Sequence, residues 1–183
     1  MIWKFFRQLG YTINRGLNRW VLTLHGVKFG CNVIVNGRIY IRNEGRIEFG
    51  DNVTINSGHR FNPVGGHAIT RIIVRPGGLL RVGDDVGISN STIVVHSQVD
   101  IGKGALIGGS CNIWDTDFHS RDSVIRGTAK DCGIVKPIRI GEKAFVGAHS
   151  ILLKGTCIGA RAIIGAGSVG PLHVGDDQIF VRR

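Results

Sequence analysis

The sequence predicts an all-β chain wound as a left-handed parallel β-helix of hexapeptide repeats, with an N-terminal amphipathic helix and one protruding loop. Three observations carry this expectation: an aliphatic residue recurs every six positions in the C-terminal half, glycine fills 28 of 183 positions against only 4 prolines, and two stretches depart from the period. No Gly-X-Y triplet runs through the chain, so the glycines indicate repeated tight corners rather than collagen. A chain of this length forms one domain and buries its core without metal or disulfide staples.

The first element covers residues 1–28. Trp3, Phe6, Leu9, Ile13, Leu17, Trp20 and Leu24 recur at helical spacing, with Lys4, Arg7, Arg15 and Arg19 around them. Such a helix can close the open end of a β-helix, where unpaired strand edges would otherwise be exposed, or pack on a neighbouring subunit. It can also make peripheral contact with an anionic membrane surface through residues 1–24.

Coils are expected over residues 29–169. The early part is irregular, although Phe49, Val53 and Ile55 with Phe61 keep a step of six, and Gly58 to Arg71 reads as an excursion. Val82, Ile88 and Val94 follow, then Ile101, Ile107 and Ile113, with one residue inserted between Val94 and Ile101. Val86, Thr92, Ala105 and Cys111 take the small inward positions of this block. The clearest run is Ile140, Val146, Leu152, Ile158 and Ile164, each followed four residues later by Ala144, Ser150, Thr156, Ala162 or Ser168. A period of six fits neither a helix nor simple strand alternation; it fits a chain that turns a corner after every short strand. Stacked coils then hydrogen-bond at about 4.8 Å, the aliphatic residue fills the triangular interior, and the residue near the corner must be small.

Ile113 and Ile140 are 27 residues apart, which is not a multiple of six, so the chain leaves the coil in a loop over 115–139. Long loops on rigid scaffolds commonly carry function. Residues 170–183 depart from the repeat again and read as an atypical tail.

Lys and Arg number 23 against 13 Asp and Glu, a net charge of +10 with neutral histidines. That favours an anionic partner, but no aromatic and basic interleaving marks a nucleic-acid module, so no nucleic acid is expected. Cys31, Cys111, Cys132 and Cys157 form no CxxC pair, and the seven histidines lack the spacing of a shared metal, so no metal is expected either. Nothing reads as a cleavable signal peptide and no apolar run approaches the roughly 20 residues that span a bilayer. The expected location is cytoplasmic, at the inner face of the membrane if the helix lies there.

The most informative short motif is Cys111-Asn112-Ile113-Trp114-Asp115-Thr116-Asp117-Phe118-His119-Ser120, at the exit into the loop. His119 at a loop mouth, with Asp117 two residues before it to fix its tautomer, is the pair that a general base needs. Asn90 reads equally as a hydrogen-bonding partner for an acceptor or as a turn residue in left-handed geometry.

The repeats, the Asp-Thr-Asp-Phe-His-Ser motif, Pro137-Ile138-Arg139-Ile140-Gly141 and Gly165-Ala166-Gly167-Ser168-Val169 together resemble the hexapeptide-repeat acyltransferases. The bacterial capsule and lipopolysaccharide O-acetyltransferases are the members they resemble most. The resemblance implies a homotrimer with active sites between subunits, acetyl-CoA as co-substrate, and a sugar or polysaccharide acceptor. His119 matches the base that deprotonates the acceptor hydroxyl for direct attack on the thioester, with no acyl-enzyme. Trp114 is expected beside the acceptor. Gly147 and Ala148 match the segment along the pantetheine arm, the Ala148 N–H facing the oxyanion, and Ala166 and Ser168 are expected on the cofactor as well. Lys136 and Lys154, with Arg139, are candidates for the CoA phosphates. The chain departs from the family after Val169, where Gly170-Pro171-Leu172-His173 replaces the usual approach to a terminal helix. N-acetylation of a nucleotide-linked amino sugar and a non-catalytic β-helix scaffold are the competing readings.

Overall fold

The computed structural model describes residues 16–181. From Lys28 to Phe180 the chain is the predicted left-handed parallel β-helix, its short strands falling into three sheets of seven, seven and six. The first sheet stacks Lys28–Phe29, Arg46–Phe49, Leu79–Val82, Gln98–Ile101, Ile138–Ile140, Cys157–Ile158 and His173–Val174. Each strand pairs in parallel with the one a full coil away, as in Asp100↔Arg139↔Cys157↔His173.

Glycine at the first corner follows from the closeness of the coils. A Cβ on Gly141 would lie 2.4 Å from the carbonyl carbon of Gly159, and one on Gly102 would lie 2.7 Å from the Glu142 nitrogen, so only hydrogen fits. The same corner then needs left-handed backbone, which Asn52, Asp85, Lys143 and Arg161 supply at φ of 58°, 59°, 54° and 59°.

Inside the triangle Ile140, Val146, Leu152, Ile158 and Ile164 are all at most 2% exposed, as the six-residue period requires. Each such burial stabilises by about 1.5–3 kcal/mol relative to exposure. The small inward residues have a second reason beyond size. The hydroxyls of Ser150, Thr156 and Ser168 turn back on the carbonyls of Gly147, Leu153 and Gly165 at 2.8, 2.7 and 2.7 Å, satisfying a buried corner acceptor.

Four expectations need correction. Ile93, paired with Ile72 and Ile113, is the inward residue of its strand, while Val94 faces outward beside Trp114. The step from Ile88 is therefore five, and Ser91 rather than Thr92 takes the small buried position. Phe61 sits in the excursion against Gly37 rather than in the coil. The excursion itself folds up around Asn62, whose side chain caps the 3-10 turn Pro63–Gly65. Residues 170–181 are not a tail but a further coil, with His173–Val174 on Cys157–Ile158 and Ile179–Phe180 on Ile163–Ile164. The interval from Gly159 to Gly175 is two residues shorter than that from Gly141 to Gly159, which hides Val174 from a fixed period.

The fourth correction concerns the N-terminal helix, whose residues 1–15 lie outside the described residues and whose residues 16–24 are helical. It covers the first coil, as one of the expectations held. The covering face is Leu22, fully buried, and Asn18, whose amide donates to the carbonyls of Val35 and Gly37 at 2.8 and 2.7 Å. The predicted apolar face points the other way: Leu17, Trp20 and Leu24 are 61, 69 and 71% exposed.

Candidate active site

The loop leaves the third sheet at Trp114 and rejoins the first at Ile138. Its root is Asp115, fully buried, whose carboxylate accepts the backbone N–H groups of His96, Ser97 and Gln98 at 2.7, 2.7 and 2.9 Å. Those three donors favour the ionised form, while burial, the larger influence, pushes its pKa up. Above the root the two arms pair antiparallel. Thr116 bridges Val135, the Asp117 N–H donates to Ile134 and the Lys136 N–H to Asp115, both at 3.0 Å.

The loop head is organised by Asp131. Its carboxylate accepts the backbone N–H of Ser120 at 2.6 Å and of Gly127 at 2.8 Å, and lies 2.7 Å from His119 Nδ1. The Ser120 and Gly127 amides and the imidazole hold the Asp131 carboxyl down to about 2. A carboxylate in that state only accepts, so Nδ1 carries the hydrogen and Nε2 carries the lone pair. The Asp131 side chain is 9% exposed and that of His119 is 69% exposed, so a covered anion orients an open base. Below the imidazole, Phe118 stands edge-on to both Trp114 and His96, with ring centroids 5.6 and 6.1 Å apart.

This arrangement changes the roles read from the motif. The imidazole has Asp131, not Asp117, as its partner. Asp117 instead binds the Lys154 ammonium and, at 3.3 Å, Arg121 Nε, and the Lys154 contact chiefly holds its carboxyl below the usual range. Lys154, 13% exposed, is thereby a clamp between loop and coil rather than a cation facing a phosphate. Asn90 is 2% exposed with φ of 43°, and its amide bonds Asn62 O and Gly58 N to hold the excursion, so the turn role prevails. Gly147 is a glycine because a Cβ would lie 2.5 Å from the Ala166 nitrogen of the next coil, and Ser168 is fully buried with its hydroxyl occupied.

Ala148 and Ala166 lie at the corner between the second and third sheets, whereas the loop that carries His119 leaves at the corner between the third and first. Lys136 and Arg139 are exposed, and with Gly155 and Thr156 they line a niche of about 230 Å³ at the foot of the loop. Among the described residues no ion pair engages Arg139. Cys111 is fully buried, its thiol 3.3 Å from Gly147 O, and burial pushes its pKa up to about 11. It is a core residue, as the frame required.

The class is set by the coil. Residues 137–169 match the bacterial transferase hexapeptide family (six repeats). It is 29% identical over 170 residues to the bifunctional protein GlmU of Zymomonas mobilis, covering 87% of this chain and 36% of that protein. It is 27% identical over 179 residues to WbbJ of Escherichia coli, which carries the name of a lipopolysaccharide biosynthesis O-acetyl transferase, covering 92% of this chain and 84% of that one. The chain thus spans about a third of the length of the first curated relatives it matches. Among solved structures, a mutant of the Bacillus cereus N-acyltransferase AntD, in complex with dTDP-4-amino-4,6-dideoxyglucose and coenzyme A, shares the fold with a TM-score of 0.71. That match is 18% identical and covers 90% of this chain and 84% of AntD.

Proposed function

We propose that the chain is an acetyl-CoA-dependent O-acetyltransferase acting on a sugar hydroxyl of a surface polysaccharide or its precursor, in the cytoplasm. The observation that carries the reading is the His119–Asp131 pair on an ordered, exposed loop at a break between hexapeptide blocks. With Nδ1–H donated to Asp131, Nε2 accepts the proton of the acceptor hydroxyl as its oxygen attacks the thioester carbonyl. The thiolate of CoA then departs and takes that proton back from the imidazolium, so the acyl group reaches the sugar without an enzyme ester. Cys111, buried with a thiol pushed up to about 11, is unsuited to carry an acyl group.

Of the residues present, Lys136 and Arg139 fit the anionic end of acetyl-CoA, and the Ala148 N–H fits an oxyanion donor. Because Ala148 and His119 leave different corners, the proposed site is shared between neighbouring chains of a homotrimer. The relationship to WbbJ, which extends over most of both chains, favours O-acetyl transfer over N-acetyl transfer.

The test is His119→Ala with a working acceptor. Turnover should fall by roughly 10² to 10⁴, the usual contribution of a general base. Calorimetric titration of CoA should be unchanged, since the imidazole is assigned to the acceptor. Turnover near that of the parent would remove His119 from the mechanism.

A further inference from the structure

We infer that the outer face of the N-terminal helix seats the protein on an anionic lipid bilayer. The helix has two faces with different fates. Asn18 and Leu22 pack onto the first coil, while Leu17, Trp20 and Leu24, at i, i+3 and i+7, form an apolar stripe on the side turned away from it, each more than 60% exposed. Large apolar side chains in one exposed row on a helix are a docking surface rather than a solvated one.

The charge around the stripe identifies its partner. Residues 1–43 contain seven Lys and Arg, namely Lys4, Arg7, Arg15, Arg19, Lys28, Arg38 and Arg42, and the first carboxylate in the chain is Glu44. Of the described ones, Arg19, Lys28 and Arg38 are exposed and enter no ion pair among the described residues, whereas Arg42 pairs with Glu44 at 2.6 Å. This excess of cations in the segment that carries an apolar, tryptophan-containing stripe matches anionic headgroups over acyl chains. The sequence of residues 1–13 keeps the same register, with Trp3, Phe6, Leu9 and Ile13 at helical spacing ahead of Leu17.

Geometry argues against a side-by-side neighbour as the occupant. The helix lies across the end of the coil, so its free face looks along the β-helix axis, whereas a neighbour in a trimer packs from the side. The part of the inference that rests on the trimeric reading is avidity. Three helices would face one plane and bind it together, each strengthening the others without new contacts. The active-site loop would then work beside a surface that carries lipid-linked acceptors.

The experiment is cosedimentation of the full chain with vesicles of phosphatidylcholine containing 30% phosphatidylglycerol, against pure phosphatidylcholine. Binding should require the anionic lipid, fall steeply in 0.5 M NaCl, and drop at least tenfold in the variant Leu17→Ser, Trp20→Ser, Leu24→Ser. That variant keeps Asn18 and Leu22, so its melting temperature and its acetyl transfer to a soluble acceptor should match the parent. A milder Leu24→Ser variant, expected to bind between the two, covers the case in which the triple change fails to fold. Equal binding by the triple variant, no binding by the parent, or end-to-end pairing of the parent in light scattering that the variant abolishes would each overturn the inference. Loss of acetyl transfer without loss of binding would instead contradict the proposed function alone.

Discussion

At the scale of single residues, the orientation of the His119 imidazole depends on one carboxylate that no local spacing announces. Asp131 lies twelve residues after His119, yet it bonds the imidazole and two loop amides together. Asp131→Asn replaces one of the two accepting oxygens by an N–H donor and removes the charge, so the carboxylate no longer enforces the Nδ1–H tautomer, and kcat should fall by roughly 10 to 10³ while the KM for acetyl-CoA holds. Asp117→Asn should leave the imidazole oriented and act only by loosening the Lys154 clamp. Steady-state kinetics of the two variants separates these roles. The pair also has a pH signature. The folded-state pKa of Asp131 is lowered from 3.8 to about 2, so its contribution to loop order is fully present above the unfolded value and is lost as pH falls through about 2. Pepsin digestion between pH 4 and 2 should therefore cut the parent loop progressively, whereas Asp131→Asn should be cut equally across that window. The sequence exposed His119 because a histidine at the break of a repeat is conspicuous. It could not expose Asp131, because the contact is made by the folding of the loop itself and not by any periodic element.

At the scale of elements, the loop is tied to the coil by a second buried carboxylate from the same motif. Asp115 collects three consecutive amides of the coil below and so fixes the corner at residues 96–98. Asp115→Ala would leave those half-buried amides without their partner, at about 1–3 kcal/mol for each group that stays unsatisfied. For a chain of this size the expected result is a fall in melting temperature of roughly 10 °C or more, read by calorimetry. An unchanged melting temperature would show that the corner holds without it. The regular elements were legible from the sequence for the reason that makes them regular: Ile140 to Ile164 and their small partners repeat one coil geometry. Legibility ended wherever a coil gained or lost a residue, as at Ile93 and Val174, because a shifted frame still presents aliphatic residues nearby. Asn90 shows the same limit at one corner. Its sequence suited a turn and a ligand equally, and burial beneath the excursion decided between them.

At the scale of the whole molecule, two faces of the β-helix contrast in chemistry, and the contrast marks one of them for assembly. On the first sheet the outward residues Lys28, Glu48, Arg81, Asp100 and Arg139 alternate in sign along the ladder, with Arg81 reaching Glu48 at 3.5 Å and Asp100 at 3.8 Å. These screened pairs suit solvent and add little stability. On the second sheet the outward row runs Leu106, Phe145, Ile163 and Ile179, in register and 52, 43, 37 and 69% exposed. A continuous apolar ridge on a flat parallel sheet is the surface that a second and third copy would cover, and the shared-site reading requires such neighbours. The paired substitution Phe145→Asp with Ile163→Asp changes only outward positions, leaving Val146 and Ile164 in the core, so the coil should still fold by circular dichroism. Two buried, unpaired carboxylates per interface are incompatible with association, and light scattering should report monomers for the variant and, on the shared-site reading, trimers for the parent. Because Ala148 and His119 leave different corners of the coil, the shared-site reading expects the monomer also to lose acetyl transfer by at least tenfold while keeping its melting transition. A folded, fully active monomer would show that one chain holds a complete site, and a trimer that survives both substitutions would show that assembly uses another face.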